Sequence, residues 1–262
     1  MARRPRHLTD REWYGQVEIV EGAAADSDSL IEALRGVGVA YYLIHSLAAG
    51  REFESLDRIN AQNFAAAART CHVNRIVYLG GLYPATGKLS PHLKSRKEVG
   101  EIFLASGVPT TVLRAAVIIG SGSLSFEMLR YLTERLPIMV TPRWIDTRIQ
   151  PIAVRDVLRY LVGSATMSPE INRGFDIGGP NVLTYREMMA IYAKIAGLKP
   201  RRIVTLPLMT PSLSSHWVGL VSPVPKNIAR PLMESLINEV ICKEHEIAGY
   251  IPDPETELTG FH

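Results

Sequence analysis

The centre of the chain carries the stretch Arg75-Ile76-Val77-Tyr78-Leu79-Gly80-Gly81, in which four apolar residues lead into two glycines. Two further apolar runs, Val39–Ile44 and Thr110–Ile119, flank it. Continuous apolar runs are typical of strands that helices cover on both faces. Between the runs, apolar residues recur at helical spacing from about Leu56 to Cys71 and from about His92 to Ala105. This alternation predicts an α/β fold with a parallel, doubly wound sheet.

The alternation continues on both sides of this centre. Val17–Val20 predicts a short strand, and Asp28 begins a helix. Towards the C-terminus Leu124–Arg135 predicts another helix. Thr184 and Glu187 have the spacing of a capping box, which predicts that a helix begins there.

The second half of the chain is less regular. Ile149–Ala153 predicts a short strand, Leu206–Pro225 contains four prolines and predicts a loop-rich lobe, and Asn227–Ile241 predicts a helix. We therefore expect a doubly wound α/β domain over residues 1–165. A small C-terminal, α-rich lobe is expected over residues 166–262, with an apolar substrate pocket that draws on Phe126, Trp144 and the segment from Leu208 to Trp217.

Composition excludes several classes of function. The net charge of +3 over 262 residues is too small, and the basic residues too dispersed, to indicate nucleic-acid binding. Cys71 and Cys242 match no metal spacing and indicate a reducing, cytoplasmic setting. We find no signal-peptide core and no apolar run long enough to span a bilayer. The expected partner is a small-molecule substrate or nucleotide, and a homodimer is left open.

A series of short motifs spans nearly the whole chain. In order they are Ala2-Arg3-Arg4-Pro5, Val20-Glu21-Gly22, Asp26, Val39-Ala40-Tyr41-Tyr42-Leu43, Asn63, Arg75-Ile76-Val77-Tyr78-Leu79-Gly80-Gly81, Leu113-Arg114-Ala115-Ala116, Phe175-Asp176-Ile177-Gly178-Gly179-Pro180 and Leu183-Thr184-Tyr185-Arg186-Glu187-Met188-Met189. The series resembles the atypical short-chain dehydrogenase/reductase proteins of the NmrA-like type. The resemblance implies an NAD(P)(H)-binding domain with a small lobe over the nicotinamide end. Some members of that family reduce quinones, enones or other carbonyl compounds, and others bind the nucleotide without known turnover.

The resemblance also implies where the cofactor is held. Arg3 and Arg4 occupy positions at which members of the family have residues that face the adenosine ribose. Two guanidinium groups at these positions favour the 2′-phosphate of NADP over NAD. The other reading of both arginines is a solvated tail. His45 and Ser46 are expected along the diphosphate groove, with the alternative that His45 only ends a strand. Arg96 is expected to clamp a ribose or phosphate. The remaining expected cofactor contacts are Gly80, Gly81 and Ala115.

The catalytic residues of classical relatives are missing. Those enzymes use a serine or threonine after the fifth strand and a Tyr-x-x-x-Lys motif on the next helix. Here the matching places are Gly80-Gly81 and His92 to Arg96, so the catalytic residue is unknown. His92 and Tyr83 are candidate proton donors. Their alternative interpretations are a surface histidine at a helix start and an aromatic residue of a loop.

The chain also lacks a glycine-rich phosphate loop. No G-x-G-x-x-G or G-x-x-G-x-x-G follows an apolar run, and Met1–Pro5 resembles the end of the family's second strand. The first strand–turn–helix unit is therefore expected to be missing. It is either lost, or Met1 is an internal codon of a protein that carries about 25–35 further residues.

Three hypotheses follow from these patterns. The first is an NADP-dependent oxidoreductase that transfers hydride to a small apolar carbonyl, enone or quinone. The second is a non-catalytic protein that senses NADP or binds a partner, and the third is a truncated product that binds no nucleotide.

Overall fold

The computed structural model describes residues 1–84, 86–206, 235–254 and 257–261. The α-helices are α1 (Ser27–Leu34), α2 (Phe53–Thr70), α3 (Pro91–Leu104), α4 (Leu124–Arg135), α5 (Val154–Ser164) and α6 (Tyr185–Ile195). The strands are β1 (Val39–Tyr42), β2 (Arg75–Gly81), β3 (Thr110–Ala115), β4 (Ile118–Ile119), β5 (Ile138–Thr141), β6 (Arg148–Ile149), β7 (Ile152–Ala153), β8 (Arg173–Ile177), β9 (Leu183–Thr184) and β10 (Arg202–Thr205). Short 3₁₀ turns connect several of these elements.

The central sheet is parallel and has the order β1-β2-β3-β8. Helices cover both of its faces, since α1, α2 and α3 contribute to one buried apolar cluster and α5 to another. Alternate residues of β2 belong to the two clusters, with Ile76 and Tyr78 facing α2 and α3 and Val77 facing α5. The predicted parallel, doubly wound α/β fold is confirmed.

Aromatic packing fixes α2 and α3 against the sheet. The ring of Tyr42 lies 5.0 Å from that of Phe64 and 4.8 Å from that of Phe103, measured between centroids, and each pair meets edge to face. Such pairs contribute roughly 0.5–1.5 kcal/mol each beyond the burial of their area. A Cβ atom on Gly100 of α3 would lie 3.4 Å from Val112, so the glycine allows the helix to approach the sheet closely. The carboxyl ends of β1, β2 and β3 are thereby held side by side.

The predicted strand Val17–Val20 is wrong. In its place a single parallel bridge joins Ala2 to Glu21, with Ala2 N donating to Val20 O at 2.9 Å and Gly22 N donating to Ala2 O at 3.1 Å. A longer hydrogen-bonded ladder would need a further strand beside this bridge, and among the described residues there is none. Within the same residues β1 pairs only with β2, so its other edge is unpaired.

Two-stranded sheets and a third buried apolar cluster form the rest of the described chain. The pairs are β5 with β10, β4 with β7, and β6 with β9. The predicted strands Thr110–Ile119 and Ile149–Ala153 are each divided in two. The expected loop-rich stretch lies outside the described residues from 207 onward, as do residues 227–234 of the predicted helix. The end of that helix is wrong, because Val240 forms a bridge with Ile149. None of the helices in the described ranges has the length and hydropathy of a membrane span.

Candidate cofactor and active site

Two clefts lie along the carboxyl edge of the sheet and share one residue, His45. The first, the outer cleft, has a volume of about 490 Å³, and its walls are Met1, Ala2, Arg3, Gly22, Ala23, Ala24, Ala25, Ile44, His45, Ser46, Ala49, Leu56 and Asn60. The second, the inner cleft, has a volume of about 380 Å³, and its walls are Leu43, His45, Leu47, Leu79, Gly80, Gly81, His92, Arg96, Ala115, Ala116, Ile118, Gly122, Ser123, Leu124 and Ser125. Ligands of open α/β sheets bind at this edge.

The outer cleft contains one of the two predicted arginines. Arg3 lines it, is exposed, and forms no ion pair or side-chain hydrogen bond within the described ranges. Arg4, the residue before the 3₁₀ turn Pro5–Leu8, is also exposed but is not part of the wall. An unpaired guanidinium beside a cleft of this size is suited to a phosphate group. Ser46 lies on the opposite wall and is buried.

The inner cleft contains most of the other predicted contacts. Gly80 and Gly81 end β2, and Ala115 pairs with Gly81 in the β2–β3 ladder. A Cβ atom on Gly81 would lie 3.4 Å from the Arg96 side chain, so the glycine leaves room for that side chain beside β2. Gly80, Gly81 and Ala115 all line the inner cleft.

Arg96 is bound by the protein itself. Its Nη2 lies 2.5 Å from Asp57 Oδ2, and its Nη1 donates to Ile44 O at 3.3 Å. The other oxygen of Asp57 accepts a hydrogen bond of 2.7 Å from Ser46 N. Ser95 Oγ donates to the same carboxylate at 2.8 Å. The buried pair thus clamps the segment 44–46, which joins the two clefts.

His92 lies at the start of α3 and lines the inner cleft. Burial, followed by the positive charge of Arg96 and the neighbouring His45, lowers the pKa of His92 from 6.5 to about 4. Its imidazole is therefore neutral at pH 7. Ser235 Oγ lies 3.2 Å from its Nδ1 atom. The two residues also line a smaller side cleft of about 90 Å³, which adjoins the inner cleft through Gly81 and Ala115.

Tyr83 lies outside all three of these clefts. Its ring is 5.8 Å from the guanidinium carbon of Arg114 and 5.6 Å from Lys243 Nζ, and Lys243 Nζ also donates to Tyr83 O at 2.9 Å. The loop after β2 is thus fastened to the C-terminal segment. The structure brings His92 to the cleft and does not bring Tyr83 there.

The expected substrate-pocket residues are not gathered at these clefts. Phe126 lines a separate apolar cavity of about 350 Å³, on the other side of β4. Trp144 is buried in the core against Tyr185, with ring centroids 5.7 Å apart. Residues 208–217 lie outside the described ranges.

Sequence reasoning missed Asp57 and Ser235. Asp57 occupies the apolar face of α2, one turn before Ala61 and two turns before Phe64. A carboxylate at such a position indicates a buried partner and was a usable signal. Ser235 is 143 residues from His92, and nothing in the sequence links them. In the described part of the chain no group of three or more His, Cys, Asp or Glu side chains is arranged to hold a metal ion.

The parallel sheet with a cleft at its carboxyl edge is the Rossmann-like fold of NAD(P)-binding reductases and epimerases. The chain matches no model of a known protein family. It is 27% identical over 261 residues to the (4-alkanoyl-5-oxo-2,5-dihydrofuran-3-yl)methyl phosphate reductase of Streptomyces griseus, which covers 99% of this chain and 83% of the relative.

Three solved structures have a similar fold. A nucleoside-diphosphate-sugar epimerase from Staphylococcus aureus matches with a TM-score of 0.74 and 15% identity, covering 99% of this chain and 87% of the other. A triphenylmethane reductase from Citrobacter sp., in complex with NADP(H), matches with a TM-score of 0.73 and 18% identity, over 98% and 85% of the two chains. An NADPH-dependent quinone oxidoreductase from Escherichia coli, in complex with NADPH, matches with a TM-score of 0.73 and 17% identity, over 99% and 86%.

Proposed function

We propose that the protein is an NADP(H)-dependent oxidoreductase that transfers hydride to a small apolar conjugated carbonyl compound. The observation that carries the proposal is the pair of clefts that meet at His45 along the carboxyl edge of the sheet. The name of the Streptomyces griseus relative describes the reduction of an unsaturated lactone that bears an alkanoyl group and a phosphorylated methyl group. Both this lactone and a simple enone contain a C=C bond conjugated to a carbonyl.

The residues present fit a phosphorylated dinucleotide. The unpaired guanidinium of Arg3 would contact the 2′-phosphate at the outer cleft, and His45, which lines both clefts, would contact the diphosphate between them. The nicotinamide ring would lie in the inner cleft, which Gly80 and Gly81 line. When bound, NADPH supplies a hydride, and water supplies the proton that completes the reduction.

Arg96 contributes to this site by holding its wall. Its guanidinium is paired with Asp57 and bonded to Ile44 O, and its Nε has no hydrogen-bond partner among the described residues.

The binding experiment compares NADPH with NADH by isothermal titration calorimetry. Charge-assisted hydrogen bonds to phosphate contribute about 1.5–3 kcal/mol, so Arg3→Ala is expected to weaken NADPH binding roughly 10- to 100-fold and to leave NADH binding unchanged. Arg4→Ala is expected to have a smaller effect, because Arg4 is not part of the cleft wall. Arg11→Ala, an exposed arginine of the same segment, is the control. An equal loss for NADPH and NADH, or no loss, would contradict the assignment.

The turnover experiment follows NADPH oxidation with alkanoyl butenolides, simple enones and quinones. Faster oxidation with the butenolides and enones than with quinones is expected. Tight NADPH binding without turnover on any of them would refute the oxidoreductase.

A specific observation favours a second candidate, the non-catalytic NADP-binding sensor. The Tyr-x-x-x-Lys pair of classical relatives is replaced by His92 and Arg96, and Arg96 is already paired with Asp57. On this reading the clefts bind NADP(H) and the bound nucleotide changes the surface that a partner protein contacts. Binding without turnover in the experiments above is the result that this candidate predicts.

A further inference from the structure

Three side chains stand in a row where the inner cleft meets the side cleft. Ser90 Oγ lies 3.0 Å from Ser235 Oγ, and Ser235 Oγ lies 3.2 Å from His92 Nδ1. Ser90 and His92 belong to the start of α3, whereas Ser235 comes from the C-terminal part of the chain. The row therefore connects two distant segments at the wall of the proposed active site.

The environment of Ser90 favours one direction for the hydrogen bonds. Its Oγ caps α3 by accepting a hydrogen bond from Leu93 N at 3.3 Å, and the residue is buried. The hydrogen of a buried hydroxyl needs an acceptor, and Ser235 Oγ is the one that the described side chains provide. When Ser90 Oγ donates to Ser235 Oγ, Ser235 Oγ in turn donates to Nδ1 of His92. The proton of the neutral ring is then on Nε2.

The other ring nitrogen of His92 is not engaged by the described residues. Nε2 has no hydrogen-bond partner among the described residues, and it is not among their buried, unpaired polar atoms. The residue lines both the inner cleft and the side cleft. The nearby charges are already engaged with each other, since Asp57 accepts from Arg96, Ser95 and Ser46 N.

We propose that Ser235 is a positioning residue that holds His92 with its Nε2–H directed into the cleft, where it donates a hydrogen bond to the carbonyl oxygen of the substrate. This inference rests on the proposed function. The hydride adds to the carbon β to the carbonyl, the C=C electron pair moves towards the oxygen, and the hydrogen bond stabilises the negative charge there. His92 keeps its proton throughout, and the carbon α to the carbonyl takes its proton from water. A neutral imidazole is able to donate in this way without being charged.

The first test reads the tautomer of His92 without any turnover. Long-range ¹⁵N–¹H correlation spectra of the ¹⁵N-labelled protein distinguish a protonated Nε2 from a protonated Nδ1, and the His92→Gln variant identifies the signals. We expect the Nε2–H tautomer in the wild type and in Ser235→Thr, which keeps the hydroxyl. We expect a mixture of tautomers in Ser235→Ala. An Nδ1–H tautomer in the wild type, or no change in Ser235→Ala, would overturn the inference.

The second test measures reduction of an alkanoyl butenolide. Loss of a donor to a developing oxyanion costs about 100-fold or more in kcat, so His92→Gln is expected to lose roughly 100-fold. Ser235→Ala is expected to lose roughly 10-fold in kcat, with the Kd of NADPH unchanged and activity retained in Ser235→Thr. Ser106→Ala, at the opposite end of α3 and outside the clefts, is the control.

The two tests separate the failure of the inference from the failure of the proposed function. A wild type that binds NADPH but reduces nothing refutes the oxidoreductase, whatever the tautomer. An active wild type with an equally active Ser235→Ala variant refutes the positioning role alone.

Discussion

Replacing Asp57 by asparagine removes a negative charge from beneath the junction of the two clefts and leaves the shape of the side chain unchanged. Asp57 is 1% exposed and its partner Arg96 is 7% exposed, so water does not compensate for the lost charge. Removing one partner of a buried ion pair costs about 3–5 kcal/mol. Asparagine keeps one oxygen for Ser46 N, but its NH₂ group replaces Oδ2, which accepts from Arg96 and Ser95 Oγ, so we expect a loss of at least about 3 kcal/mol in the free energy of unfolding.

Urea unfolding followed by tryptophan fluorescence measures this loss. With a slope of about 2–3 kcal/mol/M, the midpoint is expected to fall by about 1 M or more. The matched control is Glu98→Gln, which removes one charge from the pair between Arg58 and Glu98, whose side chains are 44% and 31% exposed. We expect that variant to unfold almost as the wild type does, because surface pairs contribute little. Equal midpoints for the two variants would refute the claim that the buried pair stabilises the segment between the clefts.

Two further predictions concern stability. Thr184→Ala breaks the capping box in which Thr184 Oγ1 accepts from Glu187 N, and we expect a loss of about 1 kcal/mol in urea unfolding. Thr184 N and Thr184 Oγ1 donate to the Glu187 carboxylate and lower its pKa, so the stabilisation from these bonds is present above the ordinary pKa of 4.5. The difference in stability between the wild type and Glu187→Gln should narrow as the pH falls, and a widening difference would contradict this. Because the pKa of His92 is about 4 in the folded protein and 6.5 ordinarily, the unfolded chain binds the extra proton between these values. From pH 7 to pH 4 the free energy of unfolding of the wild type should therefore fall by up to about 3 kcal/mol more than that of His92→Gln. Parallel plots of the free energy of unfolding against pH for the two proteins would contradict this.

The sheet could be predicted from the sequence because its strands are continuous apolar runs. Arg75–Gly81 is covered on both faces of the sheet, and a strand covered in this way is recognised by a continuous apolar run rather than by alternation. The helix Leu124–Arg135 and the capping box at Thr184 were predictable for local reasons, since a cap satisfies its own backbone N–H groups. The strand Val17–Val20 failed because strand formation depends on a neighbour, which the segment itself does not specify.

The candidate site could be predicted only in part. Arg3, His45 and the two glycines of β2 were expected from the resemblance to the NmrA-like type, and the structure places all four at the clefts. The surroundings of Tyr83 and His92 could not be predicted, because Lys243 and Ser235 approach from 160 and 143 residues away. Arg96 shows the same limit: its position in α3 was expected, but its pairing with Asp57 depends on how α2 packs.

The most direct test of the central claim is transfer of deuterium from NADPH labelled at C4 to an alkanoyl butenolide, measured by mass spectrometry with each of the two stereospecifically labelled forms. The account predicts that one of the two forms delivers one deuterium to the carbon β to the carbonyl. Reduced product without deuterium from either form, or bound NADPH that yields no product, would contradict it.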